Sequence, residues 1–313
     1  PIHSGKTTIR MLGPPSRRLL LALVLLVVAV SANADHIVRP LLLRERSMVM
    51  AHDAGTTYLE GKSVVNHWAK TQPSGGFEKL LDCGARALDV RCKAHGREVI
   101  MHHGEVPVRT TLRQGILDVQ RWTSNNPGEL VYMYISHGED DIADDVEAIL
   151  ADTGVSKLSC KETLSITYEE ALAKGPVIAT IGCMEENYDP GIVCEDANGP
   201  CWWLKHTEER IGKLVGYLNS TIHFADRQPT LWMLQAHWQY DSISIALGII
   251  EGSSILKDNE KSKMNSAVAK FLKAIPSVVQ INIVELDNVC AYGPDIHEYF
   301  LERNLALVAV AAL

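Results

Sequence analysis

Short runs of apolar, often β-branched residues alternate with segments of helical periodicity over most of the chain, and this alternation restricts the fold more than any other feature. The runs Ser47–Ala51, Ala87–Cys92, Glu98–His102, Leu130–Ile135, Pro176–Ile181, Thr230–Leu234 and Val278–Leu286 are rich in Val, Ile, Met and Tyr. Runs of this length and composition read as strands buried on both faces. Between them, Leu112–Asn125 places Leu112, Ile116, Val119 and Trp122 on one stripe, follows Thr110 and Thr111 as caps, and ends before Pro127. Ala143–Ala151, Tyr168–Ala173, Glu208–Leu218, Lys263–Ala274 and Asp295–Asn304 read as helices in the same way, and the apolar end Leu305–Leu313 as a packed terminal element. The alternation predicts an α/β fold with a parallel sheet. With about seven units and no dinucleotide-binding fingerprint, a closed or nearly closed barrel is expected. No internal repeat or low-complexity linker divides it, so residues 35–313 are expected to form a single domain.

The first 34 residues have another character. From Met11 onward, Arg17 and Arg18 precede an unbroken apolar run of twelve, Leu19–Val30, and Ser31-Ala32-Asn33-Ala34 supplies a small-residue cleavage pattern. Twelve residues are too few to cross a bilayer, which takes about 20. The expectation is an upstream segment plus a signal peptide over Met11–Ala34, and a secreted or extracellular product. Cleavage there removes four basic residues and no acid, taking the formal charge of the 313-residue chain from −8 to −12. That balance argues against a nucleic-acid partner and against general attraction to anionic lipid. All seven cysteines follow the cleavage point, where disulfides are expected and an odd count leaves one thiol free. Cys194 with Cys201 and Cys83 with Cys92 are the candidate local pairings, and spacing alone leaves the connectivity open. Asn219-Ser220-Thr221 offers an N-glycosylation acceptor at Asn219.

In a barrel of this kind chemistry gathers at the carboxyl ends of the strands. The first predicted strand runs into His52-Asp53-Ala54-Gly55-Thr56, and the second carries Asp89 and Arg91 on one face. The third runs into His102-His103-Gly104, and the last ends at Glu285 and Asp287, again on one face. Two imidazoles, a guanidinium and several carboxylates suit cleavage of a phosphodiester. That reaction needs a base for the attacking hydroxyl, an acid for the leaving oxygen, and positive charge on the equatorial oxygens. Taken singly, each residue also has a structural explanation, such as a hydrogen-bonded core histidine or an ion pair. The same set could ligate zinc or iron through His52, Asp89 and His102 or His103.

Met50-Ala51-His52-Asp53-Ala54-Gly55-Thr56, Gly84-Ala85-Arg86-Ala87-Leu88-Asp89-Val90-Arg91 and His102-His103-Gly104 together resemble the X-domain of phosphatidylinositol-specific phospholipase C, in its bacterial, calcium-independent form. The resemblance implies a distorted TIM-type (β/α) barrel and a phospholipase C-like phosphoric diester hydrolase. It implies His52 as general base, His103 as general acid, Asp53 orienting His103, and Asp287 paired with His52. Arg91 would stabilise the pentacovalent phosphorus, and Asp89 would hold the local hydrogen bonding. Calcium-dependent relatives have an acid where this chain has Arg91 and an Asn where it has Asp53, so no metal or other cofactor is expected. The lysine, arginine and aspartate side chains with which the family holds inositol have no counterparts at Ser136, Ala179-Thr180 or Ala236. His137, His237, Trp238 and Tyr240 are the candidates for a rebuilt substrate pocket, and Trp202 and Trp203 for peripheral contact with a membrane. The expected substrate is a phospholipid or glycolipid phosphodiester. The alternatives are a non-catalytic barrel that binds a lipid headgroup, and a metal-dependent phosphodiesterase on a similar barrel.

Overall fold

The computed structural model describes residues 40–60, 63–136, 142–187, 193–194, 204–222, 231–240, 242–276 and 279–311. The signal-peptide expectation, His137, Trp202, Trp203 and the Cys194–Cys201 pairing all fall on or reach residues outside that set. The strands are β1 (Met48–Ala51), β2 (Ala87–His95), β3 (Glu98–His103), β4 (Val106–Thr111), β5 (Val131–Ser136), β6 (Ser156–Lys157), β7 (Val177–Ile181), β8 (Met184–Asn187), β9 (Val193–Cys194), β10 (Leu231–Gln235), β11 (Gln239–Tyr240) and β12 (Ile283–Leu286). Eight of them line up as β6-β7-β5-β2-β1-β12-β10-β8, every neighbouring pair parallel. β7 and β8 are consecutive in the chain, parted only by Gly182 and Cys183, both at positive φ (68° and 74°). The strand that borders β5 therefore bends and continues as the strand that borders β10. The two ends of the sheet meet in it, and the curled sheet is a distorted TIM-type barrel.

Alternation along the strands sorts the side chains. Met48, Met50, Ala87, Tyr132, Tyr134, Ile178, Leu231, Met233 and Ile283 share one buried cluster on the inner face. On the other face, Val49, Leu88, Val90, Met133, Ala179, Leu234 and Val284 pack with Leu112, Ile116, Val146, Leu150, Val268 and Leu272 from the surrounding helices. Leu43, Leu158, Ile166 and Tyr168 join the inner cluster and close the barrel's amino-terminal end. A period of two then dictates what stands at the carboxyl end of the inner face. Continuing the same faces gives His52, Asp89, Arg91, Ser136, Thr180, Gln235, Glu285 and Asp287, all polar.

One predicted barrel strand takes another position. β3 pairs antiparallel with the outer half of β2, from Cys92↔Met101 to His95↔Glu98, and then with β4. Only Gly96 and Arg97 join β2 to β3, too short a connection for a parallel crossover, and Gly96 adopts the positive φ such a turn requires. His103 thus reaches the barrel mouth from a hairpin and not from a barrel strand. The cysteines also depart from expectation. Cys83 bonds Cys290 and Cys160 bonds Cys183, while Cys92, on the core side of β2, is buried and free. No helix among the described residues is long and apolar enough to cross a membrane. Asn219 is exposed on the helix Leu204–Thr221.

Candidate active site

His52 and Asp287 each follow the last residue of a strand, and the register Ala51↔Leu286 sets them side by side. The backbone there is pinned twice. His52 N–H donates to the Leu286 carbonyl at 3.0 Å, and Gln72 Nε2 donates to the carbonyls of His52 (2.9 Å) and Leu286 (2.8 Å). His52 Nδ1 lies 2.7 Å from Asp287 Oδ1, and His52 Nε2 lies 2.9 Å from an Arg91 Nη2. A guanidinium only donates, so Nε2 of His52 is the acceptor and Nδ1 carries the proton toward Asp287. The tautomer that results turns its Nε2 lone pair to the barrel mouth, where the Arg91 guanidinium donates to it. Burial holds His52 well below the ordinary histidine pKa, with the charges of His237 and Arg91 pressing the same way, so the ring is neutral at neutral pH. Burial also pushes Asp287 up, to about 6.

Asp53 has a left-handed backbone (φ 44°, ψ 48°), and its N–H donates to Asp89 Oδ2 at 3.0 Å. Its buried carboxylate stands among three nitrogens: Arg91 Nε at 2.9 Å, His103 Nε2 at 3.2 Å and His52 Nε2 at 3.3 Å. Arg91 Nε also donates to Asp89 Oδ2 at 3.0 Å, and Ser136 Oγ to Asp89 Oδ1 at 2.6 Å. Burial alone would raise the Asp89 pKa. Arg91, His52 and the two hydrogen bonds outweigh it and hold the carboxyl well below the usual range. Ser136, considered from sequence as a headgroup position, is thus tied to Asp89. His103 is placed by the hairpin, which sits tightly on the turn after β1. A Cβ at Gly55 would lie 2.9 Å from Met101 Cβ. The Nδ1 of His103 is 2.7 Å from the Ala69 carbonyl, so both ring nitrogens face oxygen acceptors.

His52, His103 and Asp287 line a cavity of about 260 Å³. Its other walls are largely hydrocarbon, with Val65 and Trp68 on one side, Ile245 and Ile249 on another, and Val106, Ile255, Trp238 and Tyr240 completing it. Trp238 and Tyr240 are therefore placed on the cavity wall. His237 is not. It is fully buried, with its ring stacked on that of His52 (centroids 3.8 Å apart, 15° between planes) and its Nε2 2.9 Å from Glu285 Oε2. His102 points the other way from His103 and binds the Gly104 carbonyl through Nδ1 at 2.8 Å.

Among the described residues two groups of buried donors are close enough to ask about a metal ion: His52 with Asp53 and Asp89, and His52 with His237 and Glu285. In the first, Arg91 Nε already lies against both carboxylates and so fills a cation's place. In the second, the two rings lie face to face with their donors pointing outward in parallel, and Glu285 is engaged by His237. His102 and His103 belong to neither group. The donor chemistry thus suits a site whose resident cation is Arg91.

No family model matches the chain. Solved structures do resemble it. A phosphatidylinositol-specific phospholipase C of Staphylococcus aureus, solved as a mutant, superposes with a TM-score of 0.56 at 15% identity over 82% of this chain and 92% of that one. The phosphatidylinositol-specific phospholipase C of Listeria monocytogenes gives 0.56 at 14% identity over 86% and 94%. A second Staphylococcus aureus structure, from work on membrane binding, gives 0.55 at 16% over 85% and 94%. The likeness covers most of every chain compared and is a likeness of fold.

Proposed function

We propose that this chain is a phosphodiesterase that cleaves a phospholipid-type phosphodiester by paired-histidine acid–base catalysis through a cyclic phosphate. The observation that carries the reading is the meeting of His52, Arg91 and His103 around the carboxylate of Asp53 at the mouth of the barrel. His52 Nε2, neutral and unprotonated, takes the proton of a hydroxyl on the substrate's headgroup. That oxygen attacks phosphorus, and the developing negative charge on the equatorial oxygens falls to Arg91, already ordered by Asp53 and Asp89. His103, protonated at Nε2, gives its proton to the departing alcohol. Asp287 holds His52 in the tautomer the first transfer needs, and Asp53 orients His103. With the histidine roles reversed, water opens the cyclic phosphate.

The hydrocarbon walls of the cavity beside both histidines favour a lipid-type substrate, whose apolar part they would shield from water. Trp238 and Tyr240 supply aromatic contact in that cavity. His137 as a further contact, and Trp202 and Trp203 as the membrane contact, complete the proposal. Two disulfides among the described residues suit an oxidising compartment, and the sequence before residue 35 suits secretion there.

Phosphorus NMR of the protein with phosphatidylinositol micelles in chelator tests the reading. A cyclic phosphate signal is expected, absent with His52→Ala. The reading is overturned by an unchanged signal in that variant, by turnover that depends on an added divalent ion, or by failure to cleave phosphatidylinositol, its glycosylated forms and other phosphodiester lipids alike.

A further inference from the structure

The fully buried carboxylate of Glu285 lies behind the proposed base, and nothing in the reaction itself calls for it. Burying an ionised carboxylate without a counter-charge is costly enough that it either protonates or finds a partner. Among the described residues Glu285 Oε1 has no hydrogen-bond partner, and Oε2 has one, Nε2 of His237 at 2.9 Å. The other nitrogen of His237 lies 3.3 Å from the Trp238 carbonyl. Both nitrogens of His237 therefore face acceptors, as in the doubly protonated ring. His237 is wholly buried and so cannot meet substrate. What it touches is the face of His52.

We propose that His237 and Glu285 form a buried positioning pair for the base, a cationic ring held flat beneath His52 by its own carboxylate. The inference rests on the reading of His52 as the base. Two effects follow. The hydrogen bond from His52 Nδ1 to Asp287 fixes one edge of the ring but permits tilting about that edge, and the stacked ring beneath removes that freedom. The charge on His237 also disfavours a second charge on His52, which keeps Nε2 available to accept a proton at mildly acidic pH. The groups facing His52 are Asp287 and Asp53, which favour its protonation, and Arg91 and His237, which oppose it, with Asp89 behind Arg91. Those facing His237 are Glu285 and Asp287. Burial works against a charge on both members of the pair. At His237 the carboxylates of Glu285 and Asp287 outweigh it and raise the pKa to about 9. At Glu285 burial outweighs His237 and Arg91 and raises the pKa to about 7. The pKa of His52 falls, as a charge on the ring beneath it requires.

The test is the titration of the His52 imidazole, followed by NMR in the whole protein, beside the pH profile of kcat. Glu285→Gln discharges His237 while keeping the stack, and His237→Phe keeps a flat ring without charge. In either variant that folds, the His52 titration is expected to move up by about one pH unit or more, a roughly tenfold gain in proton affinity. The acid limb of the kcat profile should move with it, with KM little changed. A structural role alone would lower the melting temperature and scale kcat evenly across pH. A folded variant in which both the His52 titration and the limb stay in place overturns the proposal. The titration is read without turnover, so a shift in a protein that cleaves no phosphodiester upholds the pair while the phosphodiesterase reading fails.

Discussion

Asp53 is the residue through which the other charges at the barrel mouth communicate, and its backbone is part of the reason. A non-glycine residue in the left-handed region is strained, and Asp and Asn tolerate it best because their short polar side chains find local partners. Asp53→Asn should therefore fold normally, yet it removes the negative charge between Arg91 and the two histidines. A loss in kcat of about 10²–10³ is expected, with a melting temperature near the parent's. Unchanged kcat would take Asp53 out of the mechanism. Asp258 is another buried carboxyl, away from that cluster, with Ser253 Oγ donating to it, and burial raises its pKa from 3.8 to about 7. The native state thus binds the proton more tightly than the unfolded chain does. The stability this confers is complete below about pH 4 and declines as pH rises through 7. Asp258→Asn keeps the acceptor and lacks the slope. Urea unfolding at pH 4 and pH 8 should show it gaining on the parent by a few kcal/mol between the two. At this scale the sequence was legible where period-two alternation reached past a strand end. His52, Asp89, Arg91 and Asp287 could be placed on one inner face in that way. The place of His237 could not, because its partners Glu285 and His52 are set by register across the sheet and by no local spacing.

Among the elements, the helix Leu112–Asn125 was readable to the residue. Its stripe is apolar and Thr111 caps it, accepting from Gln114 N at 3.2 Å. The short helices Val64–Trp68 and Ser242–Ile250 were not foreseen, being too brief or too uniformly apolar to show a helical period. They matter because they wall the cavity, and they lie close enough that a Cβ at Gly248 would come within 1.9 Å of Trp68 Cζ3. The Trp68 ring is buried against this helix and must be displaced to relieve the contact. Gly248→Ala should cost about 1–3 kcal/mol of stability and also change KM for a lipid substrate, because the displaced indole is a cavity wall. Thr111→Ala, at a position that does not line the cavity, should cost about 1 kcal/mol through the lost cap and leave KM alone. Equal effects of the two on KM would show that Trp68 does not shape the substrate's place.

For the molecule as a whole, the strand–helix alternation was enough for a barrel but not for how its ring closes. The segment ending at Ile181 reads as a finished strand because Gly182 and Cys183 look like a terminator, whereas the chain bends there and crosses to the other end of the sheet. Each disulfide sits at a place where the ring must hold. Cys160–Cys183 ties the bend to a helix over a separation of 23 residues. Cys83–Cys290 joins the approach to β2 with the exit of β12 over a separation of 207, nearly the full circuit. If both act mainly by restricting the unfolded chain, the long link contributes about 5 kcal/mol and the short one about 3. Denaturant midpoints should then fall further for Cys83→Ala/Cys290→Ala than for Cys160→Ala/Cys183→Ala. Activity should not follow that order. The backbone beyond Asp287 is held separately by Asn265 Nδ2, which donates to the carbonyls of Asp287 (2.8 Å), Asn288 (3.1 Å) and Ala291 (3.0 Å). Below its own unfolding transition the Cys83/Cys290 variant should thus keep its kcat. A lower kcat there would mean that the long disulfide holds the Asp287–His52 pair in place. A larger loss of stability from the short link would mean that the bend between β7 and β8 is under native-state tension that the cross-link restrains.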